Sequence, residues 1–155
     1  MTKQTALGSL LVVMQVLIFL GFVLLPWREP HALSLIPGLV LAAGGIAVVT
    51  ITFKTLGNVL TATLVPRAGV ALHTGGIFAA VRHPFYSGVL LTLFGLVVAV
   101  GSWWSLTWWL ISLLFILAKS RWEDSLLAAQ HPGEWHIWAQ GTPALIPYHS
   151  SSRMH

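Results

Sequence analysis

The sequence predicts an all-α integral membrane protein that forms a single domain over residues 1–155. Three observations predict this fold class. Only 8% of the 155 residues are charged, about a third of the share in a typical soluble domain. The mean hydropathy is +0.82, and the apolar residues form four long segments. We therefore expect four transmembrane helices near residues 5–27, 33–53, 84–100 and 103–117, followed by a tail at residues 118–155.

The first two apolar segments are long enough to cross a hydrocarbon core of ~30 Å. Residues 5–27 carry no charge, and we expect a membrane helix rather than a cleaved signal peptide because no small-residue cleavage site follows. Residues 33–53 contain small side chains that either allow close helix approach or are merely tolerated in a membrane. These small residues are Gly38, Ala42, Ala43, Gly44, Gly45 and Ala47.

The third and fourth segments are separated only by Gly101 and Ser102, which predicts a tight helical hairpin. Four tryptophans open the fourth segment and are typical of an aromatic belt at a membrane interface. They are Trp103, Trp104, Trp108 and Trp109. Beyond residue 117 the chain becomes more polar, and we expect a helical stretch before His131 that Pro132 and Gly133 stop.

The distribution of cations predicts the orientation in the membrane. Four crossings place both termini and the 54–83 loop on one side, with seven of the eight Lys and Arg residues. The seven are Lys3, Lys54, Arg67, Arg82, Lys119, Arg121 and Arg153, whereas Arg28 lies on the other side. This bias predicts cytoplasmic termini in an inner or cell membrane. The cations are dispersed, so the sequence does not favour a nucleic-acid partner.

The predicted hairpin brings two polar stretches together at the cytoplasmic side. Arg82, His83 and Tyr86 stand where the third segment begins, and Glu123 and Asp124 follow the fourth. A cation and an imidazole suit a carboxylate or a phosphate, whereas acids suit an ammonium group or hydroxyls. We therefore expect one cavity for a zwitterionic, hydroxyl-bearing cofactor. S-adenosylmethionine and a nucleotide both meet this description.

Three stretches carry a family resemblance: "LHTGGIFAAVRHPFYSGVLL", "WEDSLL" and "HPGEWHIWAQGTPALIP". Over roughly residues 56–148 the chain resembles the isoprenylcysteine carboxyl methyltransferase and phospholipid methyltransferase superfamily. The resemblance implies a membrane enzyme that transfers a methyl group from S-adenosylmethionine to a lipophilic acceptor dissolved in the membrane. The cytoplasmic loop and the C-terminal helix would form the cofactor site.

The resemblance also implies roles for individual residues. Glu123 and Arg82 would be catalytic as well as cofactor-binding. The implied cofactor-binding set is Leu72, Thr74, Gly75, Arg82, His83, Tyr86, Gly88 and Glu123, in which Gly88 also allows close packing. No metal is implied, because the scattered histidines lack the spacing of metal ligands.

The chain departs from the superfamily pattern in three places. Asp124 replaces a second glutamate, and Trp135 and Trp138 replace tyrosines. No arginine precedes the Ile-Pro pair at residues 146–147. An arginine there would suit a carboxylate acceptor, so its absence favours a lipid amine, a hydrophobic thiol or a phenol over an isoprenylcysteine-like carboxylate. The two tryptophans either rest on lipid headgroups or cover the pocket.

Alternative interpretations remain open at this point. Membrane sterol reductases that use NADPH have a related Arg-His-Pro-Asn-Tyr motif, in which Phe85 takes the place of the asparagine. A non-enzymatic membrane scaffold would use Arg82 only as an interfacial anchor. In that case Glu123 and Asp124 would form a solvated helix face, paired with Lys119 or Arg121. For Asp124 we favour this solvated interpretation.

Overall fold

The computed structural model describes residues 3–24, 32–57 and 71–147, and within these ranges the chain is helical and contains no strand. The all-α prediction is confirmed. The helices are α1 (Lys3–Val23), α2 (Ala32–Leu56), a 3₁₀ helix (Gly76–Ala79), α3 (Pro84–Val100), α4 (Trp103–Gln130) and α5 (Glu134–Gly141). The predictions that concern residues 25–27, Arg28, Arg67 and the tail beyond residue 147 lie outside the described residues.

Three helices in the described part of the chain are long and apolar enough to cross a membrane. The candidate spans are Ala6–Val23, Leu33–Leu56 and Trp103–Gln130. The third predicted crossing forms α3, an apolar helix of 17 residues, which reaches only about 25 Å at 1.5 Å per residue. An integral membrane protein is therefore supported, whereas the count of four crossings stays a prediction.

The helical stretch predicted before His131 is confirmed, and it continues the fourth apolar segment without a break. α4 runs for 28 residues to Gln130. It contains no glycine or proline, so nothing in its sequence breaks the backbone hydrogen bonding before Pro132. At Gly133 the backbone takes a left-handed φ of 95°, which favours glycine. Glu123 and Asp124 are thus held on a rigid extension of a membrane helix.

Glycines allow α2 and α3 to pack with their backbones close together. A Cβ atom added to Gly45 would lie 2.5 Å from the Gly88 carbonyl oxygen, and one added to Gly38 would lie 2.5 Å from the Ala99 nitrogen. Close approach through small residues is confirmed at these two positions. Gly44 faces outward instead, because the nearest atom to a Cβ there is a Leu91 methyl at 3.9 Å.

The helical hairpin predicted at Gly101 and Ser102 is confirmed. Gly101 caps α3 in the left-handed conformation, with φ 63°, and α4 starts two residues later. Trp109 fastens the hairpin by donating its indole N–H to the Leu90 carbonyl at 3.0 Å. Trp108 links α4 to α1 in the same way, because its indole N–H donates to the Ile18 carbonyl oxygen at 2.6 Å.

The indole bonds of Trp108 and Trp109 give them a packing role that the aromatic-belt pattern did not predict. Trp103 and Trp104, at the start of α4, are exposed, as the belt requires. The four long helices are antiparallel neighbours in the order α2, α3, α4 and α1. The end of α2, the start of α3 and the end of α4 therefore meet at one end of the bundle. Phe53 and Phe85 mark that end with ring centroids 5.5 Å apart.

Candidate functional site

The hairpin brings the start of α3 against the last turns of α4. His83 caps α3, and Pro84 occupies the first helical turn, where its missing N–H is no loss. Arg82, His83 and Tyr86 all form hydrogen bonds with the pair of acids on α4. The predicted proximity of these side chains is confirmed. We call Arg82, His83, Tyr86, Glu123 and Asp124 the ion cluster.

Asp124 is the centre of the ion cluster. Its carboxylate accepts hydrogen bonds from Arg82, from Nε at 3.3 Å and from Nη2 at 2.9 Å. The Nε2 atom of His83 lies 2.9 Å from the same carboxylate. Asp124 is buried, so the solvated helix face favoured by the sequence is wrong for this residue. A buried carboxylate is stable when it is paired and hydrogen-bonded, and here a two-point arginine bond provides both.

Glu123 forms the other half of the ion cluster. Its Oε1 accepts a hydrogen bond from the Tyr86 hydroxyl at 2.5 Å, and its Oε2 lies 3.6 Å from Nδ1 of His83. His83 is buried between the two acids, and its ring stacks on Tyr86 at 5.8 Å. The two ring nitrogens of His83 thus bridge neighbouring carboxylates, which fixes the ring orientation.

Arg82 also forms hydrogen bonds with the end of α5 and the segment that follows it. Its Nη1 donates to the carbonyl oxygens of Ala139, at 3.2 Å, and Thr142, at 2.5 Å. Its backbone N–H donates to Pro143, and that of His83 donates to Ala144. The backbone N–H groups just before α3, which have no partner within the helix, thus find acceptors in carbonyl oxygens about 60 residues further along the chain. Arg82 is therefore the point at which α3, α4 and the C-terminal segment are joined.

The two tryptophans of α5 face the body of the protein. The Trp135 ring lies over the Arg82 guanidinium, with 5.6 Å from Cζ to the ring centroid, and Trp138 donates its indole N–H to the Phe78 carbonyl at 3.1 Å. Of the two alternatives left open by the sequence, these contacts favour a covering role over rest on lipid headgroups alone. The indole nitrogen of Trp135 is buried and, among the described residues, has no hydrogen-bond partner.

An open cleft of about 520 Å³ lies between the segment at residues 72–79 and α5. Its polar lining comes from Thr74, Glu134 and Thr142, and its apolar lining from four other side chains. These four are Leu72, Ala79, Ile137 and Trp138. The volume falls within the range of about 300–1,000 Å³ that is usual for small-molecule sites. The mixture of polar and apolar groups suits a ligand that carries both an aromatic ring and charged or hydroxyl groups.

The cleft lies beside the ion cluster, and none of the five side chains of the cluster lines it. The expectation of a single shared cavity stays a prediction. The five side chains of the cluster satisfy one another because unpaired charges are costly at low dielectric. Leu72 and Thr74 do line the cleft. Thr142 connects the two regions, because it lines the cleft and its carbonyl accepts the Arg82 hydrogen bond.

Two glycines from the predicted site stand in different surroundings. No atom lies within 4 Å of a Cβ added to Gly75, so this position next to Thr74 has open space around it. A Cβ on Gly88 would lie 2.8 Å from the Gly45 carbonyl oxygen. Gly88 therefore faces α2, in agreement with its predicted packing role, and its cofactor role stays a prediction.

Sequence reasoning missed Glu134 and Thr142, and it favoured a solvated face for Asp124 although it expected this residue near Arg82 and His83. Asp124 has a recognisable signal, because Arg82 and His83 together present more donors than Glu123 alone can satisfy. Glu134 and Thr142 have only a weak signal, since their placement depends on the path of the chain around Gly133 and Gly141. Within the described ranges, no cluster of three or more His, Cys, Asp or Glu side chains could hold a metal ion.

The comparisons with known proteins agree with this architecture. A family model described as phospholipid methyltransferase matches residues 33–132. The match covers all but the first residue of α2, all of α3 and α4, and the ion cluster. No significant match to a curated protein is found.

Proposed function

Because the chain belongs to the phospholipid methyltransferase family, we propose that it transfers a methyl group from S-adenosylmethionine to a lipophilic acceptor in the membrane. The family indicates a membrane methyltransferase. The identity of the methyl donor and the chemical class of the acceptor go beyond the family match and are proposed here. The cleft beside α5 is the observation that supports them, since it combines volume, an aromatic wall and an acid at the polar end of the bundle.

The lining of the cleft fits S-adenosylmethionine. Trp138 and Leu72 offer apolar surface for the adenine ring. Glu134 suits the ammonium group or the ribose hydroxyls, and the hydroxyls of Thr74 and Thr142 provide further hydrogen bonds. When bound, this cofactor supplies an electrophilic methyl group on a positively charged sulfur. The open backbone beside Gly75 leaves room for close approach of a ligand.

The ion cluster, in this proposal, holds the walls of the cleft in place. Through Arg82 it fixes the Ala139 and Thr142 carbonyls, and Thr142 lines the cleft. Methyl transfer needs donor and acceptor in line and water excluded, so rigid walls contribute directly to the rate. We propose that His83 and Tyr86 act through this framework. The direct cofactor contacts and catalytic roles implied for Arg82 and Glu123 stay predictions.

The acceptor, in this proposal, reaches the site from the lipid phase. The candidate spans support a membrane location for the long helices, and the cation bias favours a cytoplasmic location for the site end and the termini. The cofactor would then enter from water and the acceptor from the bilayer. An acceptor without a carboxylate fits best, because no arginine precedes the Ile-Pro pair at residues 146–147. A lipid amine, a hydrophobic thiol and a phenol meet this condition.

Titration calorimetry with S-adenosylhomocysteine, the reaction product of the donor, tests the proposal in detergent. We expect wild type to bind, and Trp138→Phe to bind about tenfold more weakly, because it loses ring area and the bond to Phe78. Glu134→Gln should weaken binding by a similar factor, since a charge-assisted hydrogen bond becomes neutral. Trp104→Phe is the matched control, because Trp104 is exposed at the other end of the bundle.

Each other outcome has a clear meaning. Wild type that binds NADPH but not S-adenosylhomocysteine would support the reductase interpretation. Wild type that binds neither would support the scaffold. Equal affinity of wild type and Trp138→Phe would place the ligand outside the cleft.

A further inference from the structure

Lys119 is a buried cation that the proposed function does not use. It stands on α4 and is only 1% exposed, although the sequence suggested a cytoplasmic surface charge. Its ammonium group donates to the side-chain oxygen of Gln15 on α1 at 2.5 Å. A buried ammonium group loses several kcal/mol of hydration, so it is retained only where nearby groups stabilise it. A single amide oxygen does not offset this loss of hydration, so we expect the Lys119 ammonium group to have a second stabilising partner.

That partner is the Tyr86–Glu123 pair of the ion cluster. The Lys119 ammonium lies over the Tyr86 ring, 5.3 Å from its centroid, and the hydroxyl of the same ring donates to Glu123. Lys119 and Glu123 are four residues apart on one helix, hence on the same face one turn apart. A cation over the face of a phenol attracts the ring and polarises its O–H. The positive charge thus favours both the carboxylate and the hydrogen bond that it accepts.

We propose that Lys119 is a positioning residue of the methyltransferase site, which it serves by stabilising the Tyr86–Glu123 pair, and that Gln15 makes α1 a functional part of that site. The inference rests on the proposed function. Gln15 lies outside residues 33–132, which match the family model, so this contribution is a property of the N-terminal helix of this chain. Lys119 touches neither the cleft lining nor the reacting groups and acts through Glu123.

A double-mutant cycle on thermal stability in detergent tests the charge relation without any ligand. Lys119→Met keeps a long unbranched side chain, one atom shorter, and removes the charge. We expect it to lower the Tm of wild type by several degrees, because Glu123 is left without its counter-charge. In the Glu123→Gln background it should cost much less or raise the Tm. Arg121→Met is the matched control, since Arg121 is exposed on the same helix, and it should leave the Tm unchanged in both backgrounds.

Affinity for S-adenosylhomocysteine tests the link to function. Lys119→Met and Gln15→Leu should each weaken binding by about three- to tenfold at temperatures where both variants are folded. Equal Tm losses in the two backgrounds, or Lys119→Met that binds as tightly as wild type, would overturn the inference while the proposed function stands. Wild type without affinity for S-adenosylhomocysteine would overturn the proposed function, and with it the positioning role. The stability cycle would still show whether Lys119 and Glu123 are coupled.

Discussion

Asp124→Ala is expected to lower the free energy of unfolding by about 3–5 kcal/mol, because it leaves the buried His83 and the half-buried Arg82 without their shared carboxylate. Arg82 would lose both hydrogen bonds to the carboxylate, and His83 would lose its partner at 2.9 Å. The remaining Arg82 bonds go to the C-terminal segment. We therefore expect this segment and α5 to loosen together with the start of α3.

Thermal denaturation in detergent measures this effect, with an expected fall in Tm of roughly 10 °C or more. Ser125→Ala is the matched control, because Ser125 is the next residue on α4 and is exposed. Its Tm should stay within about 2 °C of wild type. A Tm for Asp124→Ala that equals that of Ser125→Ala would mean that Asp124 is solvated, as the sequence pattern alone suggested.

Gly45→Ala is expected to destabilise the protein by about 1–3 kcal/mol, because one methyl group forces two helix backbones apart. A Cβ at Gly45 would lie 2.5 Å from the Gly88 carbonyl and would also meet the side chain of Thr92. Backbone atoms cannot turn aside as a flexible side chain can. The displaced α3 would carry Tyr86 away from Glu123, so the affinity for S-adenosylhomocysteine should fall as well.

The neighbouring glycine provides the control for this substitution. Gly44→Ala places its methyl group 3.9 Å from its nearest neighbour, the Leu91 side chain, which is ordinary van der Waals contact. Its Tm should equal or slightly exceed that of wild type, since alanine favours helix over glycine by about 1 kcal/mol. If Gly45→Ala were as stable as Gly44→Ala, α2 and α3 would not be in close backbone contact.

The sequence predicted the features that depend on local pattern. Gly101 and Ser102 left no room for a loop, and this fixed the hairpin that joins Arg82 and His83 to Glu123. The membrane class followed from the scarcity of charge. These predictions succeeded because helix periodicity, chain reversal and hydrophobicity act over a few residues.

The features that the sequence did not predict depend on long-range contacts. Asp124 and Arg121 are both charged residues on the same stretch of α4, yet one is buried and the other exposed. That difference arises from the rotation of α4 against α3, which no local pattern specifies. The cleft also depends on long-range contacts, because α5 reaches the 72–79 segment only after the chain turns at Gly133.

The pairing within the site was not predicted from the sequence either. The charged groups of the ion cluster satisfy one another, and the cleft lies beside them. Pairing lowers the electrostatic cost of burying charged groups, and for this reason the charged side chains of the ion cluster bind one another. Lys119 shows the same effect, because a cation assigned to the surface is buried against Tyr86.

The central claim is that the cleft between residues 72–79 and α5 binds the methyl donor, and ligand protection of a single thiol tests it most directly. The chain has no cysteine, so Thr74→Cys introduces one reactive group in the cleft lining. We expect saturating S-adenosylhomocysteine to slow its labelling by a maleimide severalfold, and to leave the labelling of the control Ser125→Cys unchanged. Equal labelling rates of Thr74→Cys with and without the ligand, in protein that binds it by calorimetry, would contradict the claim.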